Sequence, residues 1–336
     1  MRKGESMTGF AVLAAMAPET EKAIWLAVII FIFVNILLII PFNFLGAKIA
    51  HGCNMKRKNV DMWSRECSST DPDQQEMYRI GCEWAEKNSA KKHDLHMVND
   101  GLNMYAEYFD LGYDRTIFVI PGRTEGLRYG YYFAIPYAEK GFNVMVIDQR
   151  AHGKSDGVWN SIGFKEHRDV IKWAELLRDR FGMNNILLHG ICIGSACGLY
   201  ALTSPDCPEN LRGLVADGMY PNFYESFKNH MIEFRKPTFM VMDMINWWQK
   251  HYTGFDMKKG PADVIHKYDK PLLMLHGTGD LYSLPTEAKK LYDKCPSVNK
   301  EIVWFEGGLH SQLRYQSTSL YDQSISQFIY KYYTVK

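Results

Sequence analysis

Paired cysteines are missing from this 336-residue chain. Its seven, Cys53, Cys67, Cys82, Cys192, Cys197, Cys207 and Cys295, include no CxxC pair and no spacing suited to zinc. An odd, scattered set is not a disulfide framework and fits a reducing environment. An excess of one charge is also missing. The formal net charge is +1, which gives no sign of nucleic acid or of a strongly charged partner. No internal repeat and no low-complexity tract occurs. What remains, with 46% hydrophobic and 23% charged residues, is an ordinary globular composition with room for one large domain and its appendages. The many aromatic and Met side chains are compatible with an apolar substrate, but a packed core uses the same residues and takes the larger share.

One apolar run stands out. Ala23 to Ile40 reads AIWLAVIIFIFVNILLII, with Asn35 as its only polar member and no charge. Such a run crosses most of a bilayer as a helix, and Pro41 to Leu45 carries it into the interface. A buried core helix would show a polar face. A cleavable signal would have a shorter apolar stretch followed by an A-x-A site. The reading is a membrane anchor over 23–45, after an N-terminal tail (1–22) and before a polar juxtamembrane linker (46–71). Lys48, Lys56, Arg57, Lys58 and Arg65 after the run outnumber Arg2, Lys3 and Lys22 before it. The positive-inside tendency then leaves the remainder of the chain facing the cytoplasm.

Beyond the linker, Asp71-Pro72-Asp73 opens a helix through about Lys91. HMVND and NMYAEYF read as a strand pair. Short apolar runs then alternate with helical stretches: TIFVI (116–120), a helix over 127–139, NVMVID (143–148), a helix over 165–181, NILLHG (185–190) and a helix over 193–202. LRGLVAD (211–217), PLLMLHG (271–277), EIVWFEG (301–307) and a closing helix over 320–333 complete the series. Buried five- or six-residue strands separated by helices predict an α/β domain, a mostly parallel sheet covered on both faces, over 72–336. Ligands of such sheets sit at the carboxyl ends of the strands. The aromatic- and Met-rich interval 218–262 breaks the rhythm and reads as helices inserted above the sheet.

The chemistry concentrates where strands end. Gly190-Ile191-Cys192-Ile193-Gly194 follows a buried strand and opens a helix, the form of a nucleophile elbow. The central side chain of such a turn projects above the sheet, and the flanking glycines allow strand and helix to approach. A helix N-terminus and a nearby histidine favour the thiolate of Cys192. Ser195 is the rival nucleophile, but it lies past the framing Gly194, inside the helix. Asp280, on the loop leaving the 271–277 strand, is the candidate acid, with Asp217 as the fallback. His310, in the Gly-rich loop after the 301–307 strand, is the candidate base, while His189 and His276 read as buried helpers. The backbone N–H groups of Ile193 and, after the 116–120 strand, Arg123 are the candidate oxyanion donors.

These residues carry a resemblance. From about residue 72 onward the chain resembles a bacterial, membrane-anchored branch of the α/β-hydrolases, serine aminopeptidase- and lipase-like. DQRAHGKSDG (148–157) is similar to the DxRGHGxSxG block of that family. LHGICIGSA resembles its HGxSxG elbow, and LLMLHGTGD and GGLHS its acid and base blocks. Three departures are visible: Cys192 stands where serine is usual, Pro121-Gly122 replaces His-Gly, and DLYSLP is one residue longer before its proline. The resemblance implies the α/β-hydrolase fold with a small helical lid and the chain order nucleophile, acid, base. The expected activity is hydrolysis of an ester, thioester or amide of an apolar, lipid-like or small-molecule acyl group through Cys192, His310 and Asp280. An acyltransferase and a non-catalytic membrane-tethered binding protein are the alternatives. Nothing in the sequence calls for a metal or an organic cofactor.

Overall fold

A computed structural model describes residues 18–57 and 71–333. Its first element, α1 (Pro18–Met55), is one helix of 38 residues. The apolar window within it has mean hydropathy 3.1 and none of it is buried against the rest of the chain. A helix of that length and composition can cross a membrane.

The linker expected from residue 46 does not begin there. Residues 46–55 continue α1 and dock on the body of the protein, with Ala47, His51 and Met55 buried. Residues 58–70 of that interval, and most of the tail, lie outside the described residues. The docking partner is α7 (Val241–Thr253). Trp248 donates its indole N–H to the Phe44 carbonyl at 3.1 Å, and His51 is hydrogen-bonded to Gln249 at 2.6 Å. The Phe44 ring sits 5.0 and 4.8 Å from the rings of Trp247 and Trp248. The polar residues that looked like linker therefore serve a helix with one apolar stripe and one solvated face, which a search for uniform hydrophobicity passes over.

Helix α2 (Pro72–Lys87) is capped by Asp71, whose carboxylate accepts the Asp73 N–H, with proline in the first turn. It ends earlier than expected, in a short 3₁₀ turn over Ser89–Lys91. Strands β1 (Lys92–Asn99) and β2 (Leu102–Phe109) form the strand pair anticipated from the sequence, and the pairing is antiparallel. The series continues with β3 (Thr116–Ile120), α3 (Leu127–Ala138), β4 (Asn143–Asp148), α4 (Glu166–Phe181), β5 (Ile186–Ile191), α5 (Ile193–Thr203) and β6 (Leu211–Asp217). Then come α6 (Phe223–Glu233), α7, α8 (Pro261–Val264), β7 (Leu272–Gly277), α9 (Pro285–Lys294), β8 (Lys300–Phe305), α10 (Leu313–Gln316) and α11 (Thr318–Tyr333). Helix α9 had no counterpart in the sequence reading. Its few buried positions, Ala288 and Leu291, make too short a stripe to register.

The sheet has the order β1-β2-β4-β3-β5-β6-β7-β8. Every pairing from β4 to β8 is parallel, and β2 joins β4 antiparallel. Strands β3 to β7 are buried along nearly their whole length because helices cover both faces. One apolar cluster around Trp173, Leu188 and Met274 fills one side, and a second around Tyr131, Phe142 and Phe328 fills the other. A third joins α6 and α7 to Ala47 and Met55 of α1. The inserted helices thus share a core with the end of the membrane-type helix.

Candidate active site

Cys192 is the single residue between β5 and α5, at φ 53° and ψ −112°. Non-glycine residues avoid this region, and strain of this kind persists only where the surroundings impose it. Strand and helix impose it here. A Cβ at Gly190 would lie 2.3 Å from the Gly194 carbonyl carbon, and one at Gly194 would lie 2.1 Å from the Ile120 oxygen. The Cys192 N–H donates to Asp217 O at 2.9 Å, and the residue lines a cavity of about 270 Å³ above the strand ends. Ser195 does not compete for that position. Its hydroxyl is fully buried and donates to Gly190 O at 2.6 Å.

Asp280 and His310, on the loops after β7 and β8, meet through Nδ1 and Oδ2 at 2.6 Å. The other carboxylate oxygen accepts the N–H groups of Tyr282 and Ser283, both at 2.8 Å, and so fixes the carboxylate. Burial pushes the Asp280 acid up, but His310 and the Ser283 N–H outweigh it and hold it below the usual range. Burial likewise opposes charge on His310. The neighbouring Cys192 and Asp280 prevail and raise its affinity for a proton well above the ordinary imidazole range. The ring also rests against Gly218, at φ +64°, where a Cβ would lie 3.0 Å from Cε1. Nothing local marks Gly218 as part of a site, since it follows β6 and meets His310 only across the sheet.

The loop after β3 runs Pro121 to Gly126. The backbone N–H groups of Arg123 and of Ile193 take no partner among the described residues. The loop is framed by the DQRAHG block: Gln149 donates to Pro121 O at 2.6 Å, and Thr124 N–H donates to His152 Nε2 at 3.2 Å. Burial holds His152 down to about 4, so Nε2 remains an acceptor near neutral pH. Asp148 accepts the Leu127 and Lys154 N–H groups, and Arg150 is bound to the buried Asp169 at 2.6 and 2.8 Å. These positioning roles were not assigned from the sequence, where the block served only as a mark of resemblance.

The fallback and helper residues lie deeper. Asp217 accepts the Tyr321 hydroxyl at 2.7 Å, and burial pushes its acid up to about 7. His189 sits between the hydroxyls of Tyr137 and Tyr321, held down to about 3 by burial. His276 is hydrogen-bonded to Ser283 O at 2.6 Å, behind the acid. Above the cavity, α6 supplies Phe223, Ser226, Phe227 and His230, and the loop after β7 supplies Tyr282. Arg123 and Glu125 also reach this wall, which is therefore mixed rather than uniformly apolar. No group of three or more His, Cys, Asp or Glu side chains among the described residues is arranged to hold a metal ion.

A family model described as alpha/beta hydrolase fold matches residues 115–257, the stretch from β3 through the elbow into the lid. The chain has the α/β-hydrolase fold. Among solved structures, a Pyrococcus furiosus esterase, Pf2001, superposes with TM-score 0.62 at 19% identity, over 74% of this chain and 94% of its own. An esterase from Exiguobacterium antarcticum gives 0.52 at 15%, over 69% and 97%. Among curated proteins, the uncharacterized protein YqkD of Bacillus subtilis is 26% identical over 218 residues, 64% of this chain and 70% of that one. An uncharacterized membrane protein of Saccharomyces cerevisiae is 26% identical over 179 residues, 52% and 57% of the two chains.

Proposed function

We propose that the protein is a membrane-anchored carboxylic ester or thioester hydrolase working through Cys192, His310 and Asp280. The observation that carries this reading is the meeting of a strained Cys192 and a carboxylate-bound imidazole in one cavity of about 270 Å³. His310 Nε2 accepts the thiol proton as Sγ attacks the acyl carbon. The N–H groups of Ile193 and Arg123 stabilise the oxyanion. The carbon–oxygen or carbon–sulfur bond to the leaving group breaks, and the leaving group departs with the proton from His310. Water then attacks the acyl-thioester, gives its proton to His310, and releases the carboxylic acid and the thiol.

A binding protein that had merely kept the fold has no use for a buried Asp280 fixed by two N–H groups and paired to a histidine. The apolar part of α1 is read as a single span over 23–45, in keeping with the naming of the yeast relative as a membrane protein. The basic residues after the span support a cytoplasmic-facing domain.

The test is hydrolysis of aryl esters and acyl thioesters by the full chain in detergent, with intact-mass detection of the acyl-enzyme. Cys192→Ala and His310→Ala are expected to lower kcat by roughly a thousandfold or more. Activity retained by Cys192→Ala would overturn the mechanism. Added amine acceptors that divert the acyl group from water would turn the assignment to transfer.

A further inference from the structure

Arg123 occupies two roles at once. Its backbone belongs to the loop after β3, while its guanidinium lines the catalytic cavity beside Cys192 and His310. One guanidinium nitrogen donates to the carbonyl oxygen of Asn54, in the last turn of α1, at 3.1 Å. The other guanidinium N–H groups have no partner among the described residues, and no carboxylate lies within ion-pair distance of them.

The surroundings give this cation little compensation. Burial works against its charge, and the groups that favour it are Cys192, Tyr220, Glu125 and Tyr282. Glu125 is the only carboxyl group among these. It accepts the Gly122 N–H at 2.8 Å, and burial pushes it toward its neutral form. His230, across the cavity, is held down to about 4 by burial first and by Arg123 among its neighbours, so it adds no positive charge near neutral pH. A guanidinium does not shed its proton to escape desolvation, and its fork of donors matches a carboxylate. Arg123 is half-buried, and a partly desolvated cation without a counterion carries a cost that falls when an anion arrives with the ligand.

We infer that the Arg123 guanidinium is the receptor for a carboxylate on the acyl portion of the substrate, which makes half-esters or half-thioesters of short dicarboxylic acids the preferred substrate class. The cavity lined by both Arg123 and Cys192 has a volume of about 270 Å³, enough for an acyl chain of a few carbons. This assignment rests on the thiol reading above and replaces the apolar acyl group with one that is apolar in its middle and anionic at its far end.

Two measurements on the full chain test it. In the first, kcat/KM is compared for an aryl hemiglutarate, the matching aryl butyrate, and a butyrate ester of a carboxylated phenol. The hemiglutarate is expected to lead. Arg123→Gln is expected to lower the hemiglutarate-to-butyrate ratio roughly 30-fold or more, with part of it restored in Arg123→Lys. An unchanged ratio, or a preference confined to the carboxylated phenol, overturns the assignment. In the second, alkylation of Cys192 by iodoacetate and by iodoacetamide is followed by peptide mass spectrometry. Iodoacetate is expected to be favoured in the native chain and to lose that advantage in Arg123→Gln. Hydrolysis of both esters with equal response to the two reagents removes the anion site and leaves the thiol mechanism standing. No hydrolysis with a preserved, Arg123-dependent iodoacetate preference does the reverse. Failure of both reagents to reach Cys192 overturns both.

Discussion

Asp280 is a small group with two separate structural obligations, and they act at different pH. One oxygen is tied to backbone N–H groups and the other to His310. His310 has a raised proton affinity in the folded chain, so its contribution to stability is complete below its ordinary value of 6.5 and is lost as pH rises through the folded value. Asp280 is shifted the other way. Its contribution is present above the ordinary carboxylate value of 3.8 and is lost as pH falls through the folded one. Asp280→Asn removes one cause of the raised His310 affinity. The fall in melting temperature on the alkaline side is therefore expected at lower pH in the variant than in the native chain. Thermal melts across pH check this, and coincident alkaline limbs would count against the His310–Asp280 coupling.

Single elements here act through what they hold in place. The loop that carries Arg123 has a backbone conformation of its own, with Thr124 at φ 69°, and the DQRAHG turn after β4 supports it from behind. His152→Ala deletes the acceptor of the Thr124 N–H. A buried donor left unpaired costs about 1–3 kcal/mol. Misplacing an oxyanion donor acts on the transition state more than on bound substrate. The expected result is a lower melting temperature and a kcat reduced roughly tenfold or more with KM little changed. Steady-state kinetics beside a melt checks it, and a change confined to KM would assign the loop to ground-state binding instead.

At the scale of the whole molecule, the membrane-type helix and the catalytic body are one packed object. Ala47, His51 and Met55 are fully buried, and the Trp159 and Tyr252 rings stack on each other beside His51. A chain beginning at residue 46 keeps the buried Ala47, His51 and Met55 and loses the apolar run together with the Phe44 contacts to Trp247 and Trp248. One beginning at residue 58 exposes the lid helix α7 and leaves Arg123 without the Asn54 carbonyl. Loss of a buried Met and its neighbours costs roughly 3–5 kcal/mol. The shorter chain is expected to melt lower by that measure and to lose activity, whereas the longer one stays folded. Equal stability of the two truncations would show that the end of α1 contributes nothing to the body.

Much of this was readable along the chain because it is local. Buried strands alternating with helices announce a parallel sheet, since only helices on both faces allow continuous apolar runs. A glycine on either side of Cys192 announces a turn in which strand and helix nearly touch. The uniformly apolar run of α1 announces its solvent by composition alone. The remainder depends on distances through space that no spacing encodes. Gly218 meets His310 across the strand ends. Asn54 reaches Arg123 across 69 positions. The polar residues after Leu45 form a docked helix only because α7 offers their apolar stripe a partner. Sequence by itself determined the sheet, the elbow and the order of the candidate triad, because each rests on short-range sterics and periodicity. Tertiary structure alone decided that a lone guanidinium lines the cavity with Cys192, because the charges surrounding a half-buried group are set by which chain segments pack around it.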